Sequence, residues 1–146
     1  MISLYKFHSI RAFSATLADL LNATLPQLPP NTIIVPLPTI SRHIRTRGFD
    51  HTLLLAKKFG KLRRLRHQSL IGRAKNTVQV GADKQLRITQ AKSAYKLLIH
   101  PNPDTPYLII DDVWTTGSSI RAACNLLKKA GAHHLMVAVL ARSGKI

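Results

Sequence analysis

The stretch from Tyr107 to Ser119 constrains the fold of this chain most, because it has the pattern of a strand, a turn and a helix start in succession. Leu108 to Ile110 is a short apolar run without alternation, which is typical of a parallel strand covered by helices on both faces. Asp111 and Asp112 follow this run, and we expect them to end the strand. Gly117 then permits a tight backbone turn, after which an amphipathic helix pattern begins. The stretch therefore predicts a strand-turn-helix unit of an α/β protein.

This turn has the features of a site for a phosphorylated ligand. The N–H groups of residues 116–119 would open the helix, where unsatisfied donors and the positive end of the helix dipole favour an anion. Four nearby hydroxyls can donate to phosphate oxygens, and they belong to Thr115, Thr116, Ser118 and Ser119. The Asp111 and Asp112 carboxylates can accept from a diol, so a sugar phosphate would suit the whole turn. A capped turn without ligand is the alternative, because Asp, Thr and Ser are ordinary capping residues.

The segment from Ile110 to Ser119 resembles the phosphoribosyl pyrophosphate (PRPP) signature of type I phosphoribosyltransferases, in which two acids precede a Thr-Thr-Gly turn. The resemblance implies that Asp111 and Asp112 are the catalytic acids and hold the ribose 2′ and 3′ hydroxyls. It implies that the turn, residues 115–119, binds the 5′-phosphate. Mg²⁺ would arrive with the diphosphate and lie near the two carboxylates, without a protein cage of its own.

Helices and strands alternate along the rest of the chain. Apolar spacing predicts helices over 9–23, from Asp50 or Thr52 onward, and after the signature, with buried strands over 32–35 and 135–141. This order predicts one α/β domain over residues 1–146, with a mostly parallel, Rossmann-like central sheet flanked by helices. The type I phosphoribosyltransferase resemblance implies the same fold. Ligands of such sheets bind at the carboxyl ends of strands.

Arginines cluster after the predicted strand that ends at Val35, at positions 42, 45 and 47. Their planar side chains suit phosphate oxygens, so they are candidates for binding pyrophosphate or a nucleic-acid backbone, with solvated loop arginines as the alternative. The residues in and around this cluster are similar to the pattern of ComF-type proteins, and they are Val35-Pro36-Leu37-Pro38, Arg42 and Arg47-Gly48-Phe49-Asp50-His51. ComF proteins are a phosphoribosyltransferase-like family associated with DNA uptake and natural competence.

The ComF resemblance implies that the Leu37 backbone, Arg42 and Arg47 bind the departing pyrophosphate. It also has departures. Asp50 and His51 stand where the family usually has Asn and Gln. The cysteine-rich zinc module that many relatives carry at the N-terminus is missing from this sequence.

Residues 72–84 are polar and rich in turn formers, which predicts a flexible loop of the kind that forms lids or binding loops. The ComF resemblance places functional residues in and next to this loop, at Arg73, Thr77, Gln79 and Arg87. In type I phosphoribosyltransferases such a loop closes over PRPP and excludes water; a plain surface loop is the alternative. We further expect a short helix over 85–95 and a strand over 95–99.

The charge of the chain is unusual, with 22 Lys and Arg against 6 acids and a formal net charge of +16. Every acid is Asp, which excludes mechanisms that need a Glu base. The excess of cations favours a polyanionic partner, although a general bias in composition would produce the same excess. One basic run supplies the candidate nucleic-acid-binding residues, and they are Lys61, Arg63, Arg64 and Arg66.

Cysteine content and hydropathy limit the environment of the protein. Cys124 is the single cysteine, so an internal disulfide is excluded, and its place on the apolar side of a predicted helix indicates a core position. No apolar run approaches the roughly 20 residues of a membrane span. We therefore expect a cytoplasmic protein without membrane insertion.

Two hypotheses about function result. The first is an Mg²⁺-dependent phosphoribosyltransferase that binds PRPP or a ribose phosphate, in DNA uptake or nucleotide salvage; a regulator that binds PRPP without turnover would have the same signature. The alternative is a non-catalytic, basic accessory protein of competence that keeps the fold and binds single-stranded DNA or competence proteins. The sequence leaves open the acceptor base, the occurrence of catalysis and the presence of a homodimer.

Overall fold

The computed structural model describes residues 12–74 and 94–143 of the chain. Predictions that fall on Thr77, Gln79, Arg87, most of the 72–84 loop and the 85–95 helix lie outside these residues. The described elements are α1 (Ala12–Thr24), β1 (Ile33–Pro36), α2 (Ser41–Arg47), α3 (His51–Arg63), β2 (Arg66–His67), β3 (Ile71–Arg73), β4 (Tyr95–Leu97), β5 (Pro106–Trp114), α4 (Ser118–Lys129) and β6 (His134–Arg142).

The central sheet has the strand order β2-β1-β5-β6, and every neighbouring pair in it is parallel. The prediction of a mostly parallel sheet flanked by helices is confirmed. A separate two-stranded antiparallel sheet joins β3 to β4, with Ile71 opposite Leu97 and Arg73 opposite Tyr95. The expected strand over 95–99 is therefore present, in a hairpin. Sequence periodicity did not reveal the short strands β2 and β3.

Both faces of β5 are buried, and each face belongs to a different hydrophobic core. Tyr107 and Ile109 pack in the core that contains the buried side chains of α4 and the β3–β4 hairpin. Leu108 and Ile110 pack in the core that contains the buried side chains of α1 and α3. Because successive side chains of a strand point to opposite faces, a strand covered on both sides is apolar without alternation.

The prediction that Asp111 and Asp112 end this strand is wrong. β5 continues through both acids to Trp114, with Asp111 opposite Val139 and Trp114 opposite Arg142. The strand continues because β6 runs beside it to the same level and supplies hydrogen-bonding partners. The two carboxylates therefore leave the backbone on opposite faces of the sheet.

The last strand was expected to be buried, and this is also wrong. β6 is an edge strand of the described sheet; of its residues Ala138 is buried, whereas the others are half-buried or exposed, with Val137 at 38%. An edge strand can carry a run of apolar residues as readily as a central one, so composition alone did not distinguish the two positions.

Candidate functional site

The carboxyl-terminal edge of the sheet brings the two sequence motifs together. β1 and β5 are adjacent, and the N–H of Leu37 donates to the Ile110 carbonyl at 2.9 Å, just before the acid pair. A cavity of about 120 Å³ opens at this edge between both motifs. Its lining residues are Leu37, Pro38, Thr39, Ile40, His43, His51, Arg73, Asp111, Asp112 and Ser119.

The turn after β5 has the conformation that the sequence predicted. Gly117 takes a left-handed φ of 75° and is the N-cap of α4. A Cβ at this position would overlap the Trp114 ring, so glycine is required for space as well as for conformation. Arg121 supports the turn from outside, since its guanidinium donates to the Thr116 carbonyl and lies 5.9 Å from the centre of the Trp114 ring.

The hydroxyls of this turn surround the start of a helix with 12 residues. Thr116 Oγ1 donates to Ser118 Oγ at 3.0 Å and accepts from the Ser118 N–H at 3.3 Å. All four predicted hydroxyl residues are exposed to solvent, and the capping residue has no side chain of its own. Hydroxyls and a helix N-terminus at one exposed turn are the groups that a cradle for an anion requires, so residues 115–119 are the candidate anion cradle.

A second, smaller cavity of about 30 Å³ lies between the end of β5 and this cradle. Asp111 and Ser119 line both this cavity and the 120 Å³ cavity. The two cavities are therefore adjacent, with the turn of residues 115–119 beside the smaller one and the acid pair beside the larger one. One molecule with a phosphate at one end and hydroxyls beside it would fit this order of groups.

The two acids have different surroundings, because they lie on opposite faces of β5. Asp111 is half-exposed, and its Oδ1 accepts from the backbone N–H of Asp112 at 2.8 Å. Asp112 is buried, and its Oδ2 lies 2.8 Å from Nε2 of His51 on α3. In the sequence, His51 stood out only as a departure from the ComF pattern. Its position, directly after a helix cap that follows a central strand, was the signal that could have identified it.

The start of α3 is fixed to the loop after β1. Asp50, one of the two predicted caps, is the N-cap, and its Oδ1 accepts from the N–H groups of Thr52 and Leu53 at 3.1 Å each. The same oxygen accepts from Thr39 Oγ1 at 3.0 Å. An Asp can therefore replace the usual Asn here, because the role requires only an acceptor.

The β3–β4 hairpin contributes two more groups to this edge. Arg73, predicted as a functional loop residue, donates from Nε to the Pro38 carbonyl at 3.2 Å, and its guanidinium lies 4.8 Å from the centre of the Tyr95 ring. Tyr95 is 6% exposed, and burial raises the pKa of its phenol above the ordinary 10.0, against the opposing effects of Arg73 and Ser119. Tyr95 was not predicted as a site residue, because the hairpin that places it here was not recognised.

The predicted pyrophosphate residues lie in α2 and just after the end of β1. Arg42 and Arg47 lie in α2, which ends at Gly48 with a left-handed φ of 79°. Leu37 is buried, and its N–H donates to the Ile110 carbonyl. In this conformation the amide is therefore not free to donate to a diphosphate. Thr39 also lines the cavity, and its hydroxyl donates to Asp50 Oδ1.

The predicted nucleic-acid-binding residues lie at the opposite edge, where the strands begin. Lys61, Arg64 and Arg66 are exposed. Arg63 instead donates to the carbonyls of Asn22, Leu25 and Pro26 at the end of α1. Its guanidinium is thus part of the packing between α1 and α3, unlike those of its neighbours.

Two larger cavities, of about 450 and 550 Å³, also lie at this opposite edge. They are lined mainly by residues of the 25–31 loop and by the starts of β5 and β6, and neither contains a residue of the two motifs. Within residues 12–74 and 94–143, no cluster of three or more His, Cys or Asp side chains is arranged to hold a metal ion. No helix in the same residues is long and apolar enough to cross a membrane.

Comparison with known proteins shows one similarity in sequence. The chain is 29% identical to Competence protein F of Haemophilus influenzae over 154 aligned residues, which cover 98% of this chain and 67% of that protein. No protein-family model matches the chain.

Solved structures show the same fold. The allosteric regulatory enzyme of purine biosynthesis superposes with a TM-score of 0.61 at 12% identity, covering 91% of this chain and 26% of that one. This chain thus spans about a quarter of that enzyme. The purine phosphoribosyltransferase of Pyrococcus horikoshii Ot3 superposes with a TM-score of 0.50 at 18% identity, covering 94% of this chain and 75% of that one. The protein described here is therefore similar to Competence protein F and has the fold of the type I phosphoribosyltransferases.

Proposed function

We propose that this protein binds PRPP, or a related ribose phosphate, at the carboxyl-terminal edge of its sheet. The observation that carries the proposal is the continuous site in which Asp111 and Ser119 line both the anion cradle and the cavity of the acid pair. The cradle suits a 5′-phosphate, and the carboxylates beside it suit ribose hydroxyls. Similarity to Competence protein F supports a setting in DNA uptake, with nucleotide salvage as the other setting.

The residues of the site would act mainly by positioning and by electrostatics. The cradle, residues 115–119, would fix the 5′-phosphate. Asp111 and Asp112 would accept from the ribose hydroxyls, and their negative charge would stabilise the positive charge that develops at C1′ as pyrophosphate departs. Arg73, held beside the Pro38 carbonyl, and the arginines of α2 would provide positive charge toward the diphosphate.

Magnesium fits this site as an ion that the substrate carries. Mg²⁺ in such sites usually keeps several waters and takes one or two carboxylates together with substrate phosphates. Asp111 is the half-exposed carboxylate that lines both cavities, so it would lie nearest to the ion. When bound, the ion would neutralise part of the diphosphate charge.

The test is calorimetric titration of the protein with PRPP and Mg²⁺, compared with ribose 5-phosphate and pyrophosphate. We expect the affinity for PRPP to be much higher than the affinity for pyrophosphate. Asp111→Asn/Asp112→Asn should weaken PRPP binding by about a hundredfold, because two charge-assisted contacts are lost. Asp19→Asn/Asp104→Asn is the matched control, because it changes the net charge equally at two exposed positions. Equal binding of all anions, unchanged by the acid substitutions, would contradict the proposal. Release of pyrophosphate with added bases would then separate turnover from binding alone.

A second function, binding of nucleic acid, is favoured by the exposure of Lys61, Arg64 and Arg66 at the opposite edge of the sheet. These cations are remote from the acid pair in the fold, so a nucleic-acid backbone and a ribose phosphate would not compete for one surface. The two functions are therefore compatible, and each can be removed by substitution without the other.

A further inference from the structure

A buried acid and a buried histidine meet inside the proposed ribose site. His51 Nε2 lies 2.8 Å from Asp112 Oδ2, and each side chain is only 6% exposed. A buried carboxylate requires a compensating donor or cation, since water no longer stabilises its charge. The imidazole of His51 is the group at ion-pair distance from this carboxylate, and it comes from α3, an element outside the strand that carries Asp112.

The backbone on both sides of this contact is fixed. Asp112 lies within the part of β5 that pairs with β6, between the Asp111–Val139 and Val113–Ala141 pairs. His51 is the first residue of α3, and the capping carboxylate of Asp50 joins this helix start to Thr39 in the loop after β1. Neither partner can move far without breaking these contacts. The imidazole therefore sets the rotation of the Asp112 carboxylate.

Asp111 is oriented by a contact of a different kind. Its Oδ1 accepts from the backbone N–H of the next residue, so local chain geometry contributes directly to its orientation. Both acids line the same cavity, together with His51 itself and with the charged or titratable side chains of His43 and Arg73. The two carboxylates thus line one cavity from opposite faces of β5, but only the Asp112 carboxylate is held there by the His51 imidazole.

We propose that His51 is a positioning residue that holds Asp112 in the orientation that accepts a ribose hydroxyl, and so determines how strongly the site prefers a sugar phosphate to a bare phosphate. This inference rests on the proposed function. What it adds is the source of the hydroxyl recognition, which combines an acid of β5 with an imidazole of α3.

The experiment compares the affinities for ribose 5-phosphate and inorganic phosphate at one fixed pH, in the full chain. The ratio of the two affinities isolates the contribution of the sugar hydroxyls, because both ligands occupy the cradle. We expect His51→Leu to lower this ratio about tenfold, because the Asp112 carboxylate loses the polar partner that orients it, while inorganic phosphate binds as before. We expect His51→Gln, which keeps a side-chain N–H donor, to stay within about threefold of wild type on the same scale.

A double substitution keeps the test decisive if His51→Leu fails to fold. His51→Leu/Asp112→Asn removes the uncompensated buried charge, and it should show the same ratio as Asp112→Asn alone, because His51 acts through Asp112. A further fall in the double variant, an unchanged ratio in His51→Leu, or a loss in His51→Gln equal to that in His51→Leu would each overturn the assignment. A wild-type protein that does not prefer ribose 5-phosphate to phosphate would instead overturn the proposed function itself.

Discussion

The two edges of the central sheet differ in the size of their cavities and in the polar groups that line them. The carboxyl-terminal edge has small cavities, of about 120 and 30 Å³, surrounded by carboxylates, hydroxyls and imidazoles. The amino-terminal edge has cavities of about 450 and 550 Å³, which contain no residue of the two motifs. Cavity size alone would select the amino-terminal edge, whereas the convergence of polar groups selects the carboxyl-terminal edge, where we propose the site.

Helix direction explains the difference between the edges. The helices α3 and α4 begin at the carboxyl-terminal edge, where their N–H groups favour anionic ligands and acidic caps such as Asp50. The helices α1 and α3 end at the amino-terminal edge, where their carbonyl groups favour cations. Arg63 donates to the carbonyls at the end of α1, so an arginine at this edge can stabilise the fold. An anion bound at the other edge would instead be a ligand.

The largest effect that would sharpen this comparison is expected at Gly117. Gly117→Ala should lower the free energy of unfolding by about 2–4 kcal/mol, because the left-handed φ costs about 1–2 kcal/mol and the new Cβ would meet the Trp114 ring. It should also weaken phosphate binding at the cradle. Urea denaturation and phosphate titration measure the two effects.

Gly48→Ala is the matched control for this substitution. Gly48 has a similar φ of 79°, but nothing lies within 4 Å of the position that a Cβ would take, so only the conformational cost of about 1–2 kcal/mol should appear. Equal losses of stability in the two variants would show that the contact with Trp114 does not restrict the cradle.

A smaller effect, on stability alone and not on ligand binding, is expected at Arg63. Arg63→Met should lower the free energy of unfolding by about 2 kcal/mol, since hydrogen bonds from a charged group to the end of α1 are lost, and it should leave PRPP affinity unchanged. Lys61→Met, at an exposed position of the same helix, should change stability by less than about 0.5 kcal/mol. A fall in PRPP affinity without a fall in stability would contradict the structural role of Arg63.

The smallest effect on the folded protein is expected from the exposed cations of the amino-terminal edge. Replacing Lys61, Arg64 and Arg66 together by Gln should reduce the salt dependence of single-stranded DNA binding by about 2 in logarithmic slope, at about 0.7 for each lost phosphate contact. Stability and PRPP affinity should not change. Fluorescence titrations at several salt concentrations provide the slope.

Equal loss of charge elsewhere is the control for this experiment. Lys57→Gln/Lys96→Gln/Arg142→Gln removes three exposed cations from other parts of the surface. An identical reduction in slope in both triple variants would show that DNA responds to net charge, and that the amino-terminal edge is not a nucleic-acid site.

Much of the site was predictable from short stretches of sequence. Gly117 and Asp50 have the conformational and capping roles that their neighbours in sequence implied, because turns and caps depend on a few consecutive residues. The parallel sheet was also predictable, since alternating helices and strands favour it. The end of β5 was not predictable, because it depends on how far β6 runs beside it.

Contacts between distant elements account for the remaining errors and omissions. Tyr95 lies beside the site because β4 pairs with β3. Its register partner, Arg73, is 22 residues earlier in the chain. Arg63 resembled its exposed neighbours in sequence, and only the packing of α3 on α1 removes it from the basic surface. No local pattern distinguishes these cases.

The sequence by itself determined that this chain forms a strand-turn-helix unit with an acid pair and a hydroxyl-rich turn, since backbone conformation, capping and hydrophobic periodicity are local properties. Only the tertiary structure decided that Asp111 and Asp112 face opposite sides of β5, and that Asp112 meets His51 in a buried pair. It also decided which cation of the basic run stabilises the fold. The reason is physical: burial and charge pairing depend on which elements pack together, and packing joins residues that are far apart in the chain.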